Sequence, residues 1–405
     1  RLGFRAGSCD RRNSSMPSQV IPNQAYAVWV FVYIAAAVQA ALLALALWRR
    51  PVNTEANRVL AVWVALTGMD LLVKAVYWNS LSPEWFRAYR FVALFPFLYG
   101  SLFYVYVREL VEARGLRLRD GVHLLGFAVM LALNAHVLLM SDQQMQALSA
   151  RWVAGEKTIG SWFDVPLFVY SLSYVAAALV RVHRYRRHLR ERRSDADRMS
   201  LRWIDVMAGC QVVVWIIATT QWLATVPGID YRLLFGAVAA WVCVVGWLSL
   251  NQSSVGSEPS GEEADDARRS PVEAGDARFP AVEARLAQLM GDGDALYREP
   301  ALTIAQVAKR SGYPEYLVSA VINRRFGGTF WDYINRLRVE AVRIHLADAA
   351  DTRTILDVAY DCGFTSKSTF NAAFKRQVGE TPSHYRKRHG QEGAVTATAG
   401  DAGRR

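Results

Sequence analysis

Thr303-Ile-Ala-Gln-Val-Ala-Lys-Arg-Ser-Gly-Tyr313 returns 51 residues later as Thr354-Ile-Leu-Asp-Val-Ala-Tyr-Asp-Cys-Gly-Phe364, with five of the eleven positions identical. Each copy reads as the first helix and turn of a helix-turn-helix. Thr303 and Thr354 stand as N-caps, and Gln306 and Asp357, three residues on, can reach back as in a capping box. Ile304, Val307 and Ala308, like Ile355, Val358 and Ala359, set one apolar face at i, i+3, i+4 spacing. The alanine leaves room for a crossing helix, the glycine supplies a left-handed turn, and the aromatic after it plugs a small core.

Outward from the repeat, second helices are expected from about Glu315 to Phe326 and from about Ser366 to Val378, each ending at glycine. Between the copies, Phe330 to Leu346 keeps a helical period through Ile334, Leu337, Ala341 and Ile344 and reads as a connecting strut. An amphipathic stretch, Val282 to Met290, precedes the first copy, so the domain is placed at 281–390, with 391–405 as a disordered tail. Two such units on one strut can reach successive major-groove segments, ~34 Å apart along a duplex. A plain helical bundle is the structural alternative. Two copies at fixed spacing, both followed by basic helices, weigh against it.

Upstream, Asn251 to Pro280 is rich in Ser, Gly, Pro, Glu and Asp and reads as a flexible acidic linker with a coil reach of roughly 30 Å. Before it the chain changes solvent. A hydrocarbon core ~30 Å thick needs ~20 apolar residues in a helix, and seven runs meet that length: 25–48, 59–78, 89–107, 122–140, 162–182, 204–225 and 231–250. Trp48, Trp78, Tyr89, Trp162 and Tyr231 mark their ends, where amphipathic rings sit at the headgroup level. The fold class is therefore all-α. A seven-span membrane bundle (1–250) is joined by a flexible linker (251–280) to an all-helical domain with two helix-turn-helix units.

The chain of 405 residues carries 47 Lys+Arg and 36 Asp+Glu, unevenly spread. Net charge is +11 over 1–250, −4 over 251–280, +4 over 281–390 and zero thereafter. In and around the loops joining spans one to two, three to four and five to six lie 16 arginines, counting Arg181 at the end of span five, against at most five basic residues on the opposite side. Basic loops stay in the cytoplasm, so the N-terminus is expected outside and the C-terminus inside the cytoplasmic membrane. Residues 1–15 carry four arginines that fit poorly outside, and Met16 is the expected natural start. Cys9, Cys210, Cys243 and Cys362 form neither a zinc spacing nor a disulfide framework. No HExxH, GxSxG or P-loop pattern occurs, so no enzyme activity, catalytic residue, metal or cofactor is expected.

Charges inside spans are costly and mark function by default. Asp70 and Lys74 lie at i, i+4 in the second span and can pair. They read either as a ligand- or proton-responsive site, lined also by Asn134, His136 or Gln211, or as a structural lock between helices.

Ile355 to Arg388, ILDVAYDCGFTSKSTFNAAFKRQVGETPSHYRKR, resembles the signature of the AraC type of bacterial transcription regulators, at Ala359, Gly363-Phe364, Ser366, Phe370, Phe374-Lys375, Gly379, Thr381-Pro382 and Tyr385-Arg386. The resemblance reaches back to about Val282, a quarter of the chain. The whole arrangement is similar to membrane-tethered one-component regulators. It implies sequence-specific promoter binding, with the DNA-facing residues Tyr316, Ser319, Ala320 and Asn323 on the first recognition helix and Lys367, Ser368, Thr369, Asn371 and Ala372 on the second. Ala320 and Ala372 depart from the long polar groups that relatives often carry there, which shifts readout toward Asn323, Asn371, Lys367, thymine-methyl contacts and DNA shape. Arg324, Arg325, Lys375, Arg376, Arg386, Lys387 and Arg388 are assigned to phosphates. The implied partners are double-stranded DNA, the lipid bilayer and RNA polymerase; the class admits a homodimer and an unidentified small-molecule or membrane-derived signal. A transporter with an appended regulatory domain is the rival, and predicts flux that depends on Asp70 or Lys74. A proteolytically released factor is a variant of the regulator.

Overall fold

The computed structural model describes residues 24–80, 82–154, 156, 161–197, 201–223, 231–250, 277–291, 295–348 and 350–389. Met16, nearly all of the expected linker and the expected tail lie outside the described residues.

Among the described residues, seven helical segments are long and apolar enough to cross a membrane. Helix α1 (Gln24–Trp48) packs along α2 (Thr54–Ser80), and α2 is the central element, with Trp63, Leu60 and Val64 fully buried. Small residues let these two backbones approach closely. A Cβ at Gly68 would lie 2.8 Å from Ala40 Cβ.

The third expected span is two helices, α3 (Pro83–Val92) and α4 (Pro96–Glu112), separated by a turn at 93–95. Pro96 is the cause, because its ring clashes with the preceding turn and its nitrogen offers no donor. The fourth begins as a 3-10 turn (Leu118–Leu124) before α5 (Leu125–Leu138). An additional helix, α6 (Asp142–Val153), follows; Ser141 caps it in a full capping box with Gln144, and Trp152 reaches the aromatic group Tyr77, Phe86 and Tyr89. Helix α7 (Ser161–Arg192) runs ten residues past the expected end of the fifth span, and α8 (Arg202–Leu223) and α9 (Tyr231–Leu250) complete the bundle.

The C-terminal domain has its own core. It comprises α10 (Phe279–Met290), α11 (Ile304–Ser311), α12 (Glu315–Val321) continued by a π-turn (Ile322–Gly327), α13 (Phe330–Ala347), α14 (Ile355–Asp361), α15 (Lys367–Val378) and a last helix over 382–389. Val282, Leu286, Val307, Leu317, Ile334, Val342, Val358 and Phe374 are sealed from solvent. Each such side chain contributes ~1.5–3 kcal/mol by burial. No strand occurs among the described residues; a single antiparallel bridge links Arg193 to Thr303.

Candidate nucleic-acid interface

The repeated sequence folds into two helix pairs of like construction. At α11 the Thr303 hydroxyl accepts from Gln306 N–H at 3.3 Å, and the Gln306 side chain accepts from Thr303 N–H at 2.8 Å, so the capping box is complete. At α14 Thr354 accepts from Asp357 N–H at 3.1 Å, while its hydroxyl donates to the Asp357 carboxylate at 2.6 Å. The first cap has the same hydroxyl contact, Thr303 donating to Gln306 Oε1 at 3.2 Å, in addition to the backbone one. Gly312 and Gly363 follow at φ +78° and +91°, the left-handed region where a side chain is strained. Ala308 and Ala359 are buried at the crossings, with Phe364 buried and Tyr313 packed at the core's edge, as the spacing predicts.

On the first pair the expected DNA-facing residues sit on α12 and the π-turn. Tyr316, Ser319 and Ala320 are half-buried, whereas Asn323, Arg324 and Arg325 are exposed. Asn323 Nδ2 reaches Ser319 Oγ at 3.4 Å, so the two polar groups form one small patch. The expected continuous helix to Phe326 is replaced by the π-turn from Ile322, which ends at Gly327 and Gly328, both at positive φ. The wider turn swings Phe326 onto Tyr333, with ring centroids 4.7 Å apart.

On the second pair Lys367, Ser368, Asn371 and Ala372 are exposed along α15, and Lys375 and Arg376 extend the same helix. Thr369 departs from the expectation. It is buried, its backbone N–H capped by Ser366 Oγ at 3.1 Å and its hydroxyl accepting from Ser366 at 2.8 Å, so it orders the helix start instead of facing outward.

Several of the cations assigned to phosphates hold partners within the domain. Arg376 reaches Asp332 at 3.2 Å and lies over the Trp331 ring at 4.8 Å, and Arg325 approaches Glu283 at 3.8 Å. Arg386 donates to Arg353 O at 2.7 Å, and Arg388 to Glu380 at 2.6 Å. These exposed pairs are worth little and can be exchanged for phosphate. One cation is of another kind. Arg338 of α13 is 1% exposed, with Nε donating to Tyr297 O at 2.7 Å and Nη2 to Glu299 O at 2.8 Å. Burial pulls its pKa down to about 10, so it stays charged at neutral pH and serves the core. Nothing in the repeat or the periodicity singles it out.

In the bundle, Lys74 Nζ meets Asp70 Oδ2 at 2.7 Å, both side chains almost wholly buried, as the i, i+4 spacing predicts. The ammonium also lies 3.9 Å from the centroid of the Phe235 ring, which ties α2 to α9. Asn134 and His136 hydrogen-bond to carbonyls of their own helix, Met130 and Leu133, rather than to the pair.

A helix-turn-helix domain family matches residues 307–388. Among curated proteins, the regulatory protein SoxS of Escherichia coli K12 is 37% identical over 87 residues, 22% of this chain and 79% of SoxS. The melibiose operon regulatory protein of the same organism is 35% identical over 89 residues, 22% of this chain and 29% of that protein. The right origin-binding protein of E. coli K12 is 34% identical over 88 residues, 21% and 29% of the two chains. No solved structure matches. SoxS and the melibiose protein are both regulatory proteins. The capped helix pairs and these likenesses lead to one conclusion: the chain belongs to the AraC family of DNA-binding helix-turn-helix transcription regulators.

Proposed function

We propose that the protein is a membrane-bound one-component regulator: a seven-span domain receives a signal, and the C-terminal domain reads promoter DNA through both helix pairs from the cytoplasmic side. The observation that carries the membrane half is the outward face of the bundle. Val28, Phe31, Leu42, Val169, Ile216 and Trp247 are more than half exposed on helices long enough to span. Water penalises such a belt, whereas lipid tails solvate it. Orientation follows from Arg181 to Arg193, which carry α7 beyond the apolar run toward the DNA-binding domain.

Ser319 and Asn323 on one helix and Lys367 and Asn371 on the other are the base-reading groups in this account. Lys375 and Arg324 take phosphates, as do Arg376 and Arg325 by releasing Asp332 and Glu283. Contacts with RNA polymerase and with a second copy belong to the same reading. The Asp70–Lys74 pair is treated as a structural link between α2 and α9. Genome-wide occupancy mapping of the full-length protein tests the proposal. Discrete promoter peaks are expected, and they vanish when Ser319, Asn323, Lys367 and Asn371 are all changed to Ala; peaks unchanged by those substitutions refute the binding mode.

A further inference from the structure

The last turn of α7 and the residues after it, Leu189 to Asp197, lie against the DNA-binding domain. Ser194, Asp195 and Ala196 are 1%, 6% and 2% exposed, although they belong to a short polar connection between two spans. Ser194 N–H donates to Leu302 O at 3.0 Å, beside the bridge from Arg193 to Thr303, the cap of α11. The Ser194 hydroxyl accepts from Arg338 Nη2 at 3.2 Å, adding a third oxygen to the two carbonyls that the buried guanidinium already holds. Leu189 and Ala196 pack on Trp331 of α13, which is 3% exposed.

The contact touches the first helix pair directly and reaches the second through Trp331. Arg192 approaches Glu315, the first residue of α12, at 3.8 Å. Arg190 lies 5.3 Å from the Trp331 ring centroid, the same ring that carries Arg376 of α15 at 4.8 Å. The surface therefore combines a buried apolar contact, backbone pairing and hydrogen bonds to a buried charge, features that a chance contact of exposed arginines lacks.

We infer that residues 189–197 form a docking joint that seats the DNA-binding domain directly on the fifth span, so that movement of spans five and six reaches both helix pairs without passing through the 251–276 connection. This rests on the membrane-regulator reading. Displacing α7 shifts Ser194, and Ser194 is bonded to the residue before the first cap and to the arginine that organises the strut. Signal transfer of this kind passes through packed side chains and hydrogen bonds.

Two measurements on the full chain decide it. A specific protease site is placed within 256–270, the membranes are cut and washed at ~1 M salt, where the Debye length falls to ~3 Å and exposed ion pairs are screened, and the C-terminal fragment is followed. The native fragment sediments with the membranes, and Ala196→Arg, which forces a long cation against Trp331, weakens retention roughly 10- to 100-fold. Quantitative release of the native fragment, with promoter binding intact, overturns the joint and leaves the regulator standing. Hydrogen exchange at the Ser194 amide needs no variant. Protection is expected, and exchange at the rate of an open loop refutes the joint, whether or not the uncut chain sediments; failure of the uncut chain to sediment would refute the membrane anchor instead.

Discussion

Gly312→Ala and Gly363→Ala put the same methyl group at equivalent turns of the two helix pairs, yet they should behave very differently. Both glycines hold positive φ, which costs an L-residue ~1–2 kcal/mol. At Gly312 nothing lies within 4 Å of the new Cβ. At Gly363 the Cβ would fall 2.7 Å from Arg298 O, 2.8 Å from Tyr297 O and 2.9 Å from Arg298 C, all backbone atoms that cannot rotate away. Overpacking of this sort adds ~1–3 kcal/mol, for a total of ~2–5 kcal/mol. The strain has a defined path, because Tyr297 O is also the acceptor for Arg338 Nε, so moving it loosens the guanidinium that anchors α13. Hydrogen exchange of the full chain in detergent reads both substitutions. For Gly363→Ala, protection over α14 and α15 should fall roughly 30- to several-thousand-fold, at tenfold per ~1.4 kcal/mol. For Gly312→Ala, protection of α11 and α12 should fall only ~5- to 30-fold. Equal losses would refute the claim that backbone crowding, in addition to handedness, fixes the second turn.

Thr303→Ala removes a complete capping box and should cost ~1 kcal/mol, seen as roughly fivefold faster exchange of the Gln306 amide. Asp70→Asn or Lys74→Met alone strands a buried charge or its partner and should cost ~3–5 kcal/mol of thermal stability in detergent, whereas the double change Asp70→Leu with Lys74→Met should be close to neutral. A double variant that folds well but no longer answers its signal would move the pair from structure to sensing. Lys375→Ala should weaken DNA binding evenly across sequences and reduce the salt slope by ~0.9. Asn371→Ala should instead cost ~1–3 kcal/mol at the preferred site alone, measured by titration against matched and mismatched duplexes.

The repeat disclosed the DNA-binding domain because caps, glycines and small crossing residues are local requirements, written in consecutive positions. The long apolar helices were legible for a similar reason, since length and apolarity are read directly from consecutive residues. The sequence concealed what depends on distant packing. Helix α6 is short and polar, and only its place under Trp152's aromatic neighbours makes it a fixed element. The extension of α7 escaped a reading based on apolarity, because arginines end an apolar run without ending a helix. Thr369 was read as outward by its place in α15, but the side chain three residues after the Ser366 cap is drawn inward. Ser194 and Ala196 carry no sequence signal, as small residues become informative only once Trp331 and Arg338 stand opposite them.

In the proposed arrangement one chain threads the bilayer and presents its gene-reading domain to the cytoplasm. Single cysteines at Gln143 on α6 and Lys367 on α15, in a chain whose four native cysteines are replaced, test it with a membrane-impermeant maleimide on intact cells. Gln143→Cys should label at once and Lys367→Cys only after the cells are opened. Labelling of Lys367→Cys in intact cells would place the domain on the wrong side of the membrane and contradict the account.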